Sequence, residues 1–132
     1  MTLTTLLFLY IAFRIKHFAC DFLLQTDWMA ITKATPCNDG RKALLIHSLI
    51  HAAGTFVVVM LFVPSLWWLA ILDFFLHGLV DFIKGRITYR MQWTPKDTKF
   101  WWAIGLDQEV HNYTHLAYIL LIITAMGGIT LS

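Results

Sequence analysis

The chain is short of the residues that cross-link and solvate ordinary globular proteins. It has two cysteines, Cys20 and Cys37, and neither belongs to a C-x-x-C pair. No disulfide framework and no cysteine-based zinc site is expected. Charged residues make up 14% of the 132 positions, against about 25% in soluble domains. The net charge of +2 is too small for a nucleic-acid partner, and the basic residues do not form one stripe. There is no Gly-rich phosphate loop, no low-complexity tract and no internal repeat. No serine or cysteine stands in a nucleophile setting, Ser48 beside His47 coming nearest.

What the chain has instead is apolar length. Hydrophobic residues reach 58% and mean hydropathy is +0.65. A spanning helix needs about 20 mostly apolar residues. Four stretches approach this: roughly 3–24, 43–63, 66–83 and 103–131. The third is short and is expected to run on into the loop or sit in thinner bilayer. Pro64 in the 63–65 turn favours an antiparallel hairpin. The expected fold is all-α, a four-helix transmembrane bundle of two antiparallel hairpins forming a single integral membrane domain over 1–132. "MTLTTLLFLYIAF" lacks a basic n-region and a cleavage site, so it reads as a retained first helix.

Lys33, Arg41 and Lys42 lie in the 25–42 loop, and Lys84, Arg86, Arg90, Lys96 and Lys99 in the 84–102 loop. Positive loops mark the cytoplasmic side, so both termini are expected to face outward. Trp67 and Trp68 suit the outer interface, and Trp28, Trp93, Trp101 and Trp102 the inner one. "KFWW" (99–102) is expected to lie flat there before the fourth span begins.

Polar residues interrupt every span at the pitch of one turn. The first carries His17 and Asp21, the second His47 and His51. The third carries Asp73, His77 and Asp81, the fourth Asp107, His111 and His115. All six histidines have a His or Asp four residues away, although these two types fill only about one position in ten. Residues four apart share a helix face, so each helix presents a polar stripe. Under the topology above, the stripes meet in the cytoplasmic third, with Asp73 and His115 deeper. One Asp at a helix centre costs about 2.5–3.5 kcal/mol, so four need compensation by protonation, pairing, water or metal.

Imidazole and carboxylate are the ligands of zinc, iron and manganese. The ligand candidates are His17, Asp21, His47, His51, His77, Asp81, Asp107 and His111. Gln25 and Gln108 are candidates for orienting them, or for capping helix ends. Lys84 lies at the mouth, where it serves topology or holds an anionic group. Asp73 and His115 are candidates for the outer shell or for pairing with each other, and Cys20 for packing. Two other readings stand beside the metal site: a structural His–Asp network gluing the helices, and a proton or ion path.

"KHFACDFLLQTDWMA" (16–30), "HSLIH" (47–51), "HGLVDFIK" (77–84) and "DQEVH" (107–111) together resemble the bacterial and phage membrane-protein family known as domain of unknown function 3307. The resemblance covers nearly the whole chain. It implies a polar set of His17, Asp21, Gln25, His47, His51, His77, Asp81, Lys84, Asp107, Gln108 and His111, without Asp73 and His115. It implies no activity. The expected function is a membrane-embedded metal-dependent hydrolase in the bacterial inner membrane, acting on a lipid-like or membrane-associated substrate. Zinc is the first expectation for the metal, with iron or manganese next, and Asp81 or Asp21 accepts the proton of activated water. Expected partners are membrane lipids. The alternatives are a proton or ion channel or transporter, which calls for a homo-oligomer because four short helices make a thin pathway, and a membrane interaction protein with a structural polar or metal core.

Overall fold

Thr2 opens the first helix by accepting the amide of Thr5 on its hydroxyl, at 3.2 Å. In the computed structural model, which describes residues 2–128, this helix is α1, Leu3–Phe18. Its end widens into a π turn over Ala19–Leu23, closed by the Leu24 amide on the Ala19 carbonyl at 2.9 Å. Thr26 then caps a short helix, α2 (Asp27–Thr32), by accepting the Met29 amide. The Cys37 sulfur caps α3 (Asn38–Phe62) by accepting the Gly40 amide. The Cys37 thiol is exposed, and the Thr35 hydroxyl and Gly40 amide pull its pKa below the ordinary thiol value. A 3₁₀ turn, Pro64–Leu66, leads to α4 (Leu69–Arg90). Gln92 adopts φ 54°, and the Trp93 and Gln92 amides return to the Thr88 and Tyr89 carbonyls, which stops α4. Asp97 precedes α5 (Thr98–Ala125), and the Thr94 amide and hydroxyl hold its carboxyl below the usual range.

The chain is all-α, with no strand among the described residues. The boundaries differ from the sequence reading in instructive ways. α3 starts five residues early, at the Cys37 cap. α4 does run on into the loop, to Arg90. "KFWW" does not lie apart but forms the first turns of α5, whose 28 residues span about 42 Å. The tail of the fourth expected span, 129–131, lies outside the described residues.

α3 and α4 make the most extensive helix pair. Beneath the Pro64 turn, Leu9, Phe13, Val58, Val59, Leu69, Tyr118, Ile119 and Ile122 form an apolar plug. Toward the other end the interior turns polar. Twelve apolar side chains are buried among the described residues, and so are twelve polar ones, all six histidines included. Large apolar groups face outward: Leu7, Phe8, Ile15, Leu61, Phe75, Leu106 and Leu120 are each more than half exposed. This inverts the usual distribution of a bundle in water. Among the described helices, α3 alone is long and apolar enough by composition to cross a membrane, with a window of mean hydropathy 2.0. α1 proper has 16 residues, and α4 and α5 are made less apolar by the same ionisable residues that fill the interior.

Candidate metal centre

The π turn is what brings Asp21 to the centre. It widens the helix after His17, and Asp21 then faces three imidazoles. Its Oδ2 lies 3.1 Å from His17 Nε2, and its Oδ1 lies 3.3 Å from His47 Nε2 and 3.0 Å from His51 Nε2. His47 and His51 come from one face of α3. On α4, His77 is stacked between His51 and His111, with ring centroids 3.5 and 3.9 Å away. Its Nε2 meets His47 Nε2 at 3.3 Å. Asp81, one turn on, lies 3.3 Å from His47 Nε2 and 3.5 Å from His111 Nε2.

Hydrogen bonds alone do not satisfy this arrangement. His47 Nε2 has three neighbours at 3.3 Å, namely Asp21 Oδ1, Asp81 Oδ2 and His77 Nε2, and carries at most one proton. His111 Nε2 lies 3.5 and 3.6 Å from Asp81 and Asp107 and makes no proper hydrogen bond. His17, His47 and His77 each bury an unpartnered Nδ1. Among the described residues, two sets of donor atoms lie within 4.8 Å of one another: Asp21, His47, His51 and His77, and then His77, Asp81 and His111. His17 and Asp107 fall outside both sets. His17 Nε2 is shared between Asp21 and the Gln108 carbonyl at 3.0 Å, and Asp107 contacts Lys84 and His111.

The lysines decide how charge is distributed. Lys33 Nζ lies 2.7 Å from Asp81, Lys84 3.6 Å from Asp107, and Lys16 2.9 Å from Asp73. Among the described residues Asp21 has no Lys or Arg at ion-pair distance, only imidazoles. Lys16, Lys33 and Arg14 join the polar interior beyond the histidine–aspartate pattern. The signal for Lys16 was present, since a lysine inside an apolar stretch beside His17 needs a buried partner.

The remaining candidates are placed as follows. Gln108 donates to Asp21 Oδ2 at 3.3 Å, so it does orient a member of the cluster. Gln25 donates to the Asp21 carbonyl at 3.1 Å and caps the π turn. Asp73 and His115 do not pair. Asp73 accepts from Lys16, from Thr55 at 2.6 Å and from Tyr118 at 3.3 Å, while His115 Nδ1 meets Arg14 at 2.7 Å. The geometry behind this is simple: Lys16 and Arg14 enter from α1 and take both positions first. Ser48 bonds back to the Leu44 carbonyl, and Cys20 contacts the Ile50 carbonyl.

A cavity of about 290 Å³ opens beside the cluster, with Asp21, Gln25, Lys33, Asp81, Lys84, Asp107 and Gln108 in its wall. It opens beside the π turn, the second half of α4 and the first turns of α5. A family model described as a protein of unknown function, DUF3307, matches residues 8–131. The chain belongs to this family. The match takes in every residue of the cluster. Neither the comparison with curated proteins nor that with solved structures returns a match.

Proposed function

We propose that this chain is a membrane-embedded, metal-dependent enzyme, a hydrolase whose substrate is lipid-like or membrane-associated. The outward apolar surface and inward polar cluster support four transmembrane passages, with the 25–42 and 84–102 loops on the cytoplasmic side of the bacterial inner membrane.

The observation that carries the metal reading is Asp21. The buried carboxylates Asp73, Asp81 and Asp107 each have a lysine, while the half-buried Asp21 has converging imidazole nitrogens instead. Asp21, His47, His51 and His77 would hold a divalent cation, and that cation would balance the Asp21 charge. Such an ion supplies a Lewis acid that lowers the pKa of a coordinated water. Zinc, iron or manganese would each suit these imidazole and carboxylate donors.

The surrounding residues have separate tasks. His17 and Gln108 fix the Asp21 carboxylate from behind. Asp81, outside the four-residue set but 3.3 Å from His47, is placed to accept a proton from water entering through the cavity. Lys33 holds Asp81 in position, and Lys84 faces the entering substrate.

A proton path has one observation in its favour. Tyr118, Asp73, Lys16, His51 and Asp21 form a continuous chain of contacts. It ends at Tyr118, inside the apolar plug, so it reaches only part of the way through the bundle.

The test is elemental analysis of the protein purified in mild detergent, beside His77→Ala and Asp81→Asn. Stoichiometric zinc, iron or manganese, lost in His77→Ala and kept in Asp81→Asn, supports the reading. A folded wild type that neither holds nor reloads metal removes it. Proton flux in liposomes would then favour the path.

A further inference from the structure

A second space adjoins the polar cavity. It is an apolar groove of about 570 Å³ between α4 and α5, walled by Val80, Ile83, Ile87, Trp102, Leu106 and Val110. The volume lies within the usual range for ligand sites, about 300–1,000 Å³. Lys84 and Asp107 line both spaces, so the groove and the cavity meet at that pair.

The groove carries two cations, Lys99 at the start of α5 and Lys84 beside Asp107. Lys99 lies 5.9 Å from the Trp93 ring centroid and has no carboxylate at ion-pair distance among the described residues. Lys84 contacts Asp107 loosely, at 3.6 Å, and is partly exposed. A comparable apolar groove between α3 and α4, about 560 Å³ and walled by Ala52, Phe56, Ala70 and Phe74, has no cation in its wall and does not touch the cluster. Bilayer contact alone accounts for that second groove. It does not account for cations placed where an apolar channel joins a polar cavity.

We propose that the cavity and the α4–α5 groove form one site for an anionic phospholipid. The phosphate sits at Lys84 and Lys99, one acyl chain lies along Ile83, Ile87, Leu106 and Val110, and the head group turns past Asp107 toward Asp21 and Asp81. Trp93 and Trp102 set the depth of the head group, as interfacial tryptophans do. This rests on reading the cluster as a membrane-embedded site, and it names the substrate class of that site.

Native mass spectrometry of the full chain in detergent tests it. The probes are phosphatidic acid and phosphatidylcholine with identical acyl chains, and inorganic phosphate as competitor. Metal content is measured on the same samples. Wild type should retain phosphatidic acid about tenfold better than phosphatidylcholine. Ala103→Phe, which fills the α4–α5 groove, and Lys99→Gln should each lower retention about tenfold with metal unchanged. Ala52→Phe, in the other groove, should match wild type. Equal retention of the two lipids overturns the proposal, and so does full retention in Ala103→Phe. Displacement by inorganic phosphate with no effect of Ala103→Phe assigns the cations to free phosphate and also overturns it. Lipid binding without metal leaves this site standing and removes the metal reading. Metal without lipid selectivity does the reverse.

Discussion

Lys16 and Asp73 form a closed pair inside the bundle, 2.9 Å apart, with neither side chain more than 3% exposed. Thr55 and Tyr118 add donors to the carboxylate, and His51 Nδ1 lies 3.3 Å from the ammonium. A metal on His51 Nε2 would put the ring proton on Nδ1, and Lys16 would then donate to Asp73 and not to His51.

Removing one partner of this pair leaves a buried charge. Lys16→Met and Asp73→Leu should each cost about 3–5 kcal/mol. Lys16→Met should fall at the lower end, because Thr55 and Tyr118 still face Asp73. The double variant should recover most of the loss. Unfolding in mixed micelles measures all three, and additive losses would show that the pair is not coupled.

His17 touches Asp21 but belongs to neither ligand set. His17→Asn should therefore keep the metal with about 10–100-fold weaker affinity, as expected for a group that orients a ligand. His51→Ala should release it. Chelator competition separates the two, and equal release from both variants would make His17 a direct ligand.

A methyl group on Gly54 would meet Lys16 Cγ at 2.9 Å and Cys20 Sγ at 3.1 Å, and Lys16 is pinned by Asp73. Gly54→Ala should destabilise by about 1–3 kcal/mol. At Gly105 on the outer face of α5 nothing lies within 4 Å. Gly105→Ala should be neutral or stabilising by up to about 1 kcal/mol. Thermal unfolding of the two variants in one detergent is the check, and equal shifts would contradict the close approach of α1 and α3.

Cys37 is exposed in the 25–42 loop, and Cys20 is buried against α3. A membrane-impermeant maleimide should label Cys37 in inverted inner-membrane vesicles and not in intact cells. Cys20 should react only after unfolding. Since Thr35 and Gly40 favour the thiolate, alkylation of Cys37 should rise through a midpoint below the ordinary thiol pKa and slow as pH falls below it. Labelling of intact spheroplasts from outside would reverse the proposed topology.

Much of the site was legible because its signal is local. The i,i+4 spacing of His47 with His51, of His77 with Asp81 and of Asp107 with His111 places each pair on one face wherever the helix forms. Helix ends were less legible. Caps at Cys37 and Thr26 moved the start of α3 and added α2, and a sulfur cap carries little weight in a pattern search.

The sequence by itself determined the helical class, the apolar exterior and the histidine–aspartate inventory, since each follows from composition or from the pitch of one helix. Tertiary structure decided the partners. Lys16 reaches Asp73 across 57 residues, and Lys33 reaches Asp81 across 48, from the short α2 that the sequence reading took as loop. It also turned His17 toward Gln108 and left Asp21 facing imidazoles and Gln108 with no Lys or Arg at ion-pair distance among the described residues. Those outcomes depend on how α1 and α5 are rotated against α3 and α4 and on the π turn that re-aims Asp21, and no single-helix periodicity encodes either.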